Sequence, residues 1–260
     1  MMNSTDQNSD MNSKSSKKPN LIDQYRRYFV GGSVAAVAGL ALAPSLILHT
    51  AQARPADQAV SNKNRWGLLI DTTKCADGCN DCVSACNREH GLRKIHGPRT
   101  DSQWIRIVNL ENKQTGHRVN MPTMCQHCKN PPCVDVCPTG ASFKRKDGIV
   151  LVDKHICIGC RYCMMACPYK ARNFIHETLT DQLPVAPRGK GTVESCTLCV
   201  HKVDRGDGTT ACAEACKEGA ITFGDLNDKN SKISRMLAAH GGYELRAELG
   251  LNTGVRYQGL

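Results

Sequence analysis

CIGCRYCMMACP, from Cys157 to Pro168, is the stretch that decides how this chain is read. A C-x2-C-x2-C-x3-C-P run puts three thiolates on one short loop, enough to wrap one corner of an iron–sulfur cube. The last cysteine, after three intervening residues, sits about one helical turn away and faces a different cluster. Outward from this run the grouping recurs, because the chain has sixteen cysteines in four sets of four. The first set is Cys75, Cys79, Cys82 and Cys86, and the second is Cys125, Cys128, Cys133 and Cys137. The third is Cys157, Cys160, Cys163 and Cys167, and the fourth is Cys196, Cys199, Cys212 and Cys216. Every set closes with C-x3-C.

Three chemistries compete for these thiols. Disulfides suit an exported chain with an even cysteine count, but they give no reason for one tight spacing to recur. Zinc ribbons also open with C-x2-C, but they need no close third cysteine followed by C-x3-C-P. Iron–sulfur clusters need both features, and four sets imply four 4Fe–4S clusters. Two sets depart from the plain spacing. Cys75 and Cys79 are separated by three residues, and Gly78 absorbs the extra one by tolerating positive φ. The second set inserts Lys129 to Pro132 before Cys133, and the fourth inserts a loop of twelve residues between Cys199 and Cys212. Loops absorb insertions at modest cost, so all sixteen cysteines are retained as ligands. Cys75 is the least regular of them; if it is not a ligand, its site becomes a 3Fe–4S centre.

Residues 1–53 read as an address rather than a domain. Arg26 and Arg27 in YRRYFV precede a small-residue apolar stretch from Val30 to Leu48, and Ala51-Gln52-Ala53 forms an A-x-A cleavage pattern. A membrane-spanning helix competes, since Phe29 to Leu48 is about long enough. Its Gly, its Ala and Pro44 make it a weak span. The expectation is a twin-arginine signal cut after Ala53. That route carries folded cargo, so clusters built on free thiols in a reducing compartment reach the periplasm intact.

The formal charge of +10 invites a nucleic-acid partner. The first 53 residues carry five Lys and Arg against three Asp, which leaves +8 on the remainder. Each oxidised 4Fe–4S centre with four thiolates brings about −2, so four bring about −8 and leave the holoprotein near neutral. With no basic patch interleaved with aromatics, no nucleic acid is expected as a partner. Aromatics are only 5% of the chain, too few for a large core, and clusters supply the missing cross-links.

The chain repeats itself. WGLLIDTTKC, ending at Cys75, parallels GIVLVDKHIC, ending at Cys157, with Asp71 and Asp153 four residues before each cysteine. Each apolar run predicts a short strand feeding a cluster loop. CPTGASF from Cys137 parallels CKEGAITF from Cys216, and each predicts a short helix stopped by Gly140 or Gly219, then a strand toward Phe143 or Phe223. Lys146-Asp147-Gly148 predicts a hairpin turn. Elsewhere, Trp104 to Leu110 predicts a strand, Asn112 to Gly116 a turn, Thr178 to Gly191 a loop, and Ser231 to Ala239 a helix ended by Gly241 and Gly242. The fold class is α+β, with duplicated bacterial ferredoxin-like (two-cluster) units of short strands and helices around four 4Fe–4S clusters. The expected organisation is a signal over 1–53, a four-cluster domain over 54–224, and a C-terminal helix and tail over 225–260, the tail either a plain surface segment or one that wraps over the domain or touches a partner.

From Asp71 to about Gly224 the chain resembles the four-cluster ferredoxin-like subunits of membrane-associated oxidoreductases. These include the iron–sulfur subunits of dimethyl sulfoxide, polysulfide and formate-dependent nitrite reductases and of sulfur-metabolism membrane complexes. The likeness rests on MCQHCKNPPCVDVCPTGASFKRKDGIVLVDKHICIGCRYCMMACPYKAR, from Met124 to Arg172, and on KCADGCNDCVSACN, from Lys74 to Asn87. With the fourth-ligand exchange of two-cluster ferredoxins, the resemblance implies a nested assignment. One cluster takes Cys125, Cys128, Cys133 and Cys167, and its neighbour takes Cys157, Cys160, Cys163 and Cys137. The outer pair takes Cys75, Cys79, Cys82 with Cys216, and Cys196, Cys199, Cys212 with Cys86. It also implies an electron-transfer role between an NrfD-type integral membrane quinone-interacting subunit and a redox partner, a periplasmic multihaem cytochrome c in the sulfur-metabolism case. The protein itself is expected in the periplasm, attached to the inner membrane through those partners.

Arg161, Lys170 and Arg172 flank the third run, where positive charge favours a reduced cluster; a solvated face is the alternative. His127, between Cys125 and Cys128, is expected to be a loop residue able to hydrogen-bond a cluster sulfur, with a ligand role as the alternative. No C-x-x-C-H, G-x-x-x-x-G-K-[ST] or strand–G-x-G-x-x-G–helix occurs, so no haem of its own and no nucleotide are expected. Three function classes stand: an electron-transfer subunit that catalyses nothing alone, a directly catalytic cluster protein, and a zinc structural module. A complete ligand set leaves no open iron, which favours the first over the second. The first is expected, with the iron–sulfur subunit of a periplasmic molybdopterin oxidoreductase as its alternative setting.

Overall fold

A computed structural model describes residues 58–180 and 182–260, so the N-terminal address lies outside the described residues. The apolar run of the first repeat forms β1 (Trp66–Asp71), followed by helix α1 (Asp81–His90) and the hairpin β2 (Ile105–Glu111) and β3 (Arg118–Met124). The middle of the chain supplies α2 (Pro132–Asp135), β4 (Ser142–Lys144), β5 (Val150–Val152), α3 (Tyr162–Ala166) and β6 (Asn173–Phe174). Then come β7 (Val193–Glu194), α4 (Val200–Arg205), α5 (Ala211–Glu214), β8 (Ile221–Asp225), α6 (Lys232–His240) and β9 (Val255–Gln258).

β1 is the centre of a three-stranded sheet in the order β8-β1-β9. It runs antiparallel to β8, with Ile70 opposite Ile221, and parallel to β9, with Ile70 opposite Tyr257. Leu68, Leu69 and Ile70 are all buried, which is why this strand is continuously apolar rather than alternating. β4 and β5 form the matching pair, with Ser142 opposite Val152. The two repeats occupy equivalent places. Asp71 N–H donates to Ala220 O at 2.8 Å, and Asp153 N–H donates to Ala141 O at 2.7 Å. Asp71 Oδ1 accepts from Thr73 N–H at 3.2 Å, and Asp153 Oδ1 accepts from His155 N–H at 2.8 Å. Each aspartate thus makes an Asx turn that bends the chain out of its strand and into the cluster loop.

The fold is therefore two ferredoxin-like units, one nested in the sequence of the other. β1, α1, α5 and β8 form the outer unit, in which α1 packs on α5. β4, β5, α2 and α3 form the inner unit, in which α2 packs on α3. The turn expected at Lys146 to Gly148 joins β4 to β5, closed by Arg145 N–H to Ile149 O at 2.8 Å. Arg145 ties that turn to the outer unit, bonding Asp147 and, through both terminal nitrogens, Asp204 on α4.

Two elements differ from expectation. β3 carries Pro122 in a weakly patterned run, so sequence periodicity does not announce it. It pairs with β2 along its whole length, with Pro122 opposite Ile107. Residues 241–260 are not a surface tail. β9 completes the central sheet, and Val255 and Tyr257 are fully buried. The stretch 225–260 belongs to the same compact unit as the cysteine runs, so no domain boundary falls at 224. Among the described residues, no helix is long and apolar enough to cross a membrane.

Candidate metal centres

Helix α1 shows how spacing becomes a site. Cys82, Cys86 and His90 recur at i, i+4 and i+8 and so share one buried face. Gly91 stops the helix in the left-handed region at φ 62°. Just before the helix, Gly78 takes φ 73° and absorbs the extra residue between Cys75 and Cys79. Asn120 on β3 pins that loop, its Nδ2 donating to Ala76 O at 3.1 Å and to Asp77 Oδ1 at 2.8 Å.

The sixteen cysteines are all free thiols, and they gather in quartets that mix the runs. Cys75, Cys79 and Cys82 share one cavity with Cys216. Cys125, Cys128 and Cys133 share a second with Cys167. Cys157, Cys160 and Cys163 share a third with Cys137. Cys86 joins Cys196, Cys199 and Cys212 in a fourth, wholly buried group whose thiols act on one another electrostatically. No set of three or more His, Cys, Asp or Glu among the described residues converges closely enough for a single metal ion. The second and third cavities are instead each walled by four thiols drawn from two different runs. Four thiols spaced around a volume suit a multi-iron cube rather than zinc.

The electrostatics point the same way. Burial above all pushes Cys75 and Cys163 up to about 11, and Cys82, Cys125 and Cys199 up to about 12. Such thiols ionise only where cationic metal compensates them. Backbone N–H groups already aim at several sulfurs: Ser142 at Cys137 (3.3 Å), Val193 at Cys157 (3.4 Å), Leu198 at Cys196 (3.4 Å), Ala211 at Cys199 (3.5 Å) and Ala220 at Cys216 (3.2 Å). Burial acts to raise Cys137 too, but the Ser142 N–H, with Thr139 and Ala141, holds it below the usual thiol range.

The three expected basic residues part company. Arg172 is only 4% exposed and lines the second-run cavity. Its Nη2 donates to Cys133 Sγ and Ser142 Oγ, both at 3.0 Å, and its Nη1 has no hydrogen-bond partner among the described residues. Among the described residues no carboxylate pairs with this buried cation, and a cluster would supply the anion it needs. Arg161 is exposed, and its guanidinium lies 3.9 Å over the Phe174 ring. Lys170 is exposed as well. His127 reaches no cysteine sulfur, and its buried Nε2 has no hydrogen-bond partner among the described residues. Its Nδ1 accepts from Val150 N–H at 3.0 Å, which ties the second run to β5, and burial lowers its pKa to about 3.

Three features escape sequence reading. Residues 245–254 close over the second run, with Lys129 N–H donating to Leu251 O, Gly254 N–H to Gln126 O, and Tyr169 Oη to Leu245 O. Arg188 makes a two-pronged pair with the fully buried Glu194 and fastens the 178–191 loop to Gly91 O. His90 reaches the fourth quartet, its Nε2 3.5 Å from Cys199 Sγ. For His90 alone a sequence signal exists, its i+4 spacing from Cys86.

Comparison with known proteins gives two matches to 4Fe–4S dicluster domains, over residues 117–226 and 74–141. The chain is 41% identical to the Hdr-like menaquinol oxidoreductase iron-sulfur subunit 1 of Archaeoglobus fulgidus, covering 89% of this chain and 97% of that protein. It is 37% identical to a tetrathionate reductase subunit of Salmonella typhimurium, covering 92% and 90%. It is also 37% identical to a sulfite dehydrogenase subunit of Allochromatium vinosum, covering 73% and 81%.

Proposed function

The chain belongs to the 4Fe–4S dicluster family of iron–sulfur subunits of oxidoreductase complexes, and from that premise we propose its ligands, partners and place. It is an electron-transfer subunit with four 4Fe–4S clusters, and it is not the catalytic subunit. The four quartets described above are assigned as the ligand sets, all sixteen cysteines included. Bound there, 4Fe–4S clusters take up and release one electron at a time.

The observation that carries the proposal is the order of the quartets. Thiols of different quartets lie close enough to act on one another between the third and second (Cys163 with Cys133), the second and fourth (Cys125 with Cys196), and the fourth and first (Cys212 with Cys82 and Cys216, and Cys86 with Cys82). That chain of neighbours runs third, second, fourth, first. The second and fourth quartets are buried, while Cys160 and Cys79, at opposite ends of the row, are exposed. A row with a sheltered middle and two accessible ends is the arrangement of a wire.

The ends differ in chemistry. Around Cys160, Ile158 and Met165 are each 67% exposed and Tyr162 is 54% exposed. Such an apolar rim suits a permanent interface, and an NrfD-type membrane quinone-interacting subunit is assigned to it. Around Cys79 stand Lys74, Asp81, Lys217 and Glu218, a charged rim that suits a soluble, exchanging redox partner. A periplasmic multihaem cytochrome c is assigned there. At its most specific this makes the chain the counterpart of DsrO, the periplasmic iron–sulfur subunit of the Dsr MKJOP sulfur-metabolism complex. The twin-arginine address and the likeness to a sulfite dehydrogenase subunit support that placement. The likeness to a tetrathionate reductase subunit favours a second setting, beside a molybdopterin catalytic subunit. Affinity isolation of the full chain from membranes decides between them. Recovery with an NrfD-type subunit and a multihaem cytochrome is expected, and recovery with a molybdopterin subunit and no cytochrome refutes the Dsr setting.

A further inference from the structure

We propose that His90 sets the reduction potential of the cluster assigned to Cys86, Cys196, Cys199 and Cys212, by donating its Nε2–H to the Cys199 sulfur. The inference rests on the ligand assignment proposed above.

The geometry is that of a fixed donor. His90 closes helix α1 on the same face as Cys86, which puts its ring inside the fourth quartet's wall. The ring is 2% exposed, and Nε2 lies 3.5 Å from Cys199 Sγ. Its other nitrogen, Nδ1, has no hydrogen-bond partner among the described residues. That asymmetry chooses the tautomer. A proton on Nδ1 would waste a buried donor and set the Nε2 lone pair against the sulfur lone pairs. A proton on Nε2 gives the donor an acceptor and leaves only a weakly demanding acceptor bare.

The surroundings hold the ring in that pose. Trp104 packs on one side with its centroid 4.5 Å away, and His201 meets the ring edge-on at 5.4 Å. His201 is held in turn by Glu89, with Nε2 2.7 Å from Oε1. Glu89 and His90 are consecutive on α1, so one helical end supplies both the donor and the brace of its neighbour. Glu89, His201 and Trp104 are positioning residues; His90 alone touches the ligand sulfur.

A hydrogen bond to a ligand thiolate favours the reduced cluster, which carries one more negative charge, and so raises its potential. The place matters because the fourth quartet is an interior member of the row. Its potential sets the height of the step between the second and first quartets, where no outside partner can compensate. Ala211 N–H also reaches Cys199, at 3.5 Å, so two donors converge on one sulfur.

The test is a redox titration of the purified full chain with its clusters, followed by electron paramagnetic resonance, with iron and sulfide counted in parallel. His90→Phe keeps a flat ring between Trp104 and His201 and removes the donor. One of the four potentials should fall, with a reduction equilibrium constant at least tenfold smaller, which is about 59 mV for one electron. The other three should stay. His90→Gln, which restores an N–H donor, should recover part of the shift. Four unchanged potentials in His90→Phe, with four clusters present, overturn the proposal. If His90→Phe loses a cluster, the wild-type chain labelled with 15N-histidine decides: hyperfine coupling of a histidine nitrogen to a reduced cluster is expected, and its absence overturns the proposal. A wild-type chain without iron and sulfide for four clusters overturns the ligand assignment itself, so the iron and sulfide counts separate that failure from failure of His90 alone.

Discussion

Arg172→Leu should lower the potential of the second-run cluster by about 100 mV, and that of the third-run cluster by less. The guanidinium is buried, sits 3.0 Å from Cys133 Sγ, and has no carboxylate partner among the described residues. It also acts on Cys125 and Cys163, so it stands between the second and third quartets. An electron added to a cluster centred about 6 Å away, at an effective dielectric of about 20, gains roughly 3 kcal/mol from one positive charge. At about 1.4 kcal/mol per 59 mV for a one-electron couple, that is roughly 120 mV. Relaxation around the smaller side chain trims it toward about 100 mV. The sign is fixed because the reduced cluster is the more negative one, so losing a cation disfavours reduction. Arg161→Gln is the internal comparison: Arg161 is exposed, and solvent screens it, so its shift should be a small fraction of that. Redox titration followed by electron paramagnetic resonance measures both. Unchanged potentials in Arg172→Leu, with all four clusters retained, would refute the reasoning. Equal shifts in the two variants would refute the part played by burial.

Three further outcomes follow from the same geometry. Gly159→Ala forces a side chain into φ +69°, where its Cβ collides with Gly191 O and lies 3.0 Å from Phe174 Cε2; a loss of about 2–3 kcal/mol is expected, read as a lower midpoint for thermal bleaching of cluster absorbance. Cys167→Ser should alter the cluster of the second run and spare that of its own run, since Cys167 lines the cavity of Cys125, Cys128 and Cys133; cluster-by-cluster spectra decide. Removing iron should leave Arg172 buried without its anion, at a cost of about 3–5 kcal/mol, and the melting transition followed by circular dichroism should drop sharply or vanish.

How much of this was legible in the sequence depends on the range of each interaction. The two aspartates placed four residues before Cys75 and Cys157 are visible as a repeat, and the structure supplies their reason, since each side chain closes an Asx turn over its own next two residues. Turns, caps and short helices are local in this way, so their residues announce them. β9 is not local. Its value lies in pairing with a strand nearly two hundred residues earlier, Ile70 against Tyr257, and nothing around Tyr257 states that partner. β3 is hidden for a different reason, because Pro122 breaks the strand pattern while pairing survives around it.

The basic residues and histidines sharpen the point. Arg161, Lys170 and Arg172 look alike as charges flanking one run. Only the fold separates a cation buried against Cys133 from one stacked on Phe174 and one in solvent. His127 sits between two cysteines and turns its ring to β5, whereas His90, outside every cysteine run, meets a sulfur. Proximity in sequence to a ligand therefore predicts contact with a cysteine sulfur poorly in a nested fold. The helix face predicts it better: residues 82, 86 and 90 share one side of α1, and the nesting of the fourth run inside the first unit decides which sulfur that side meets. The same nesting turns four similar motifs into an ordered row, with Cys160 and Cys79 exposed at its ends and the two quartets between them closed to solvent.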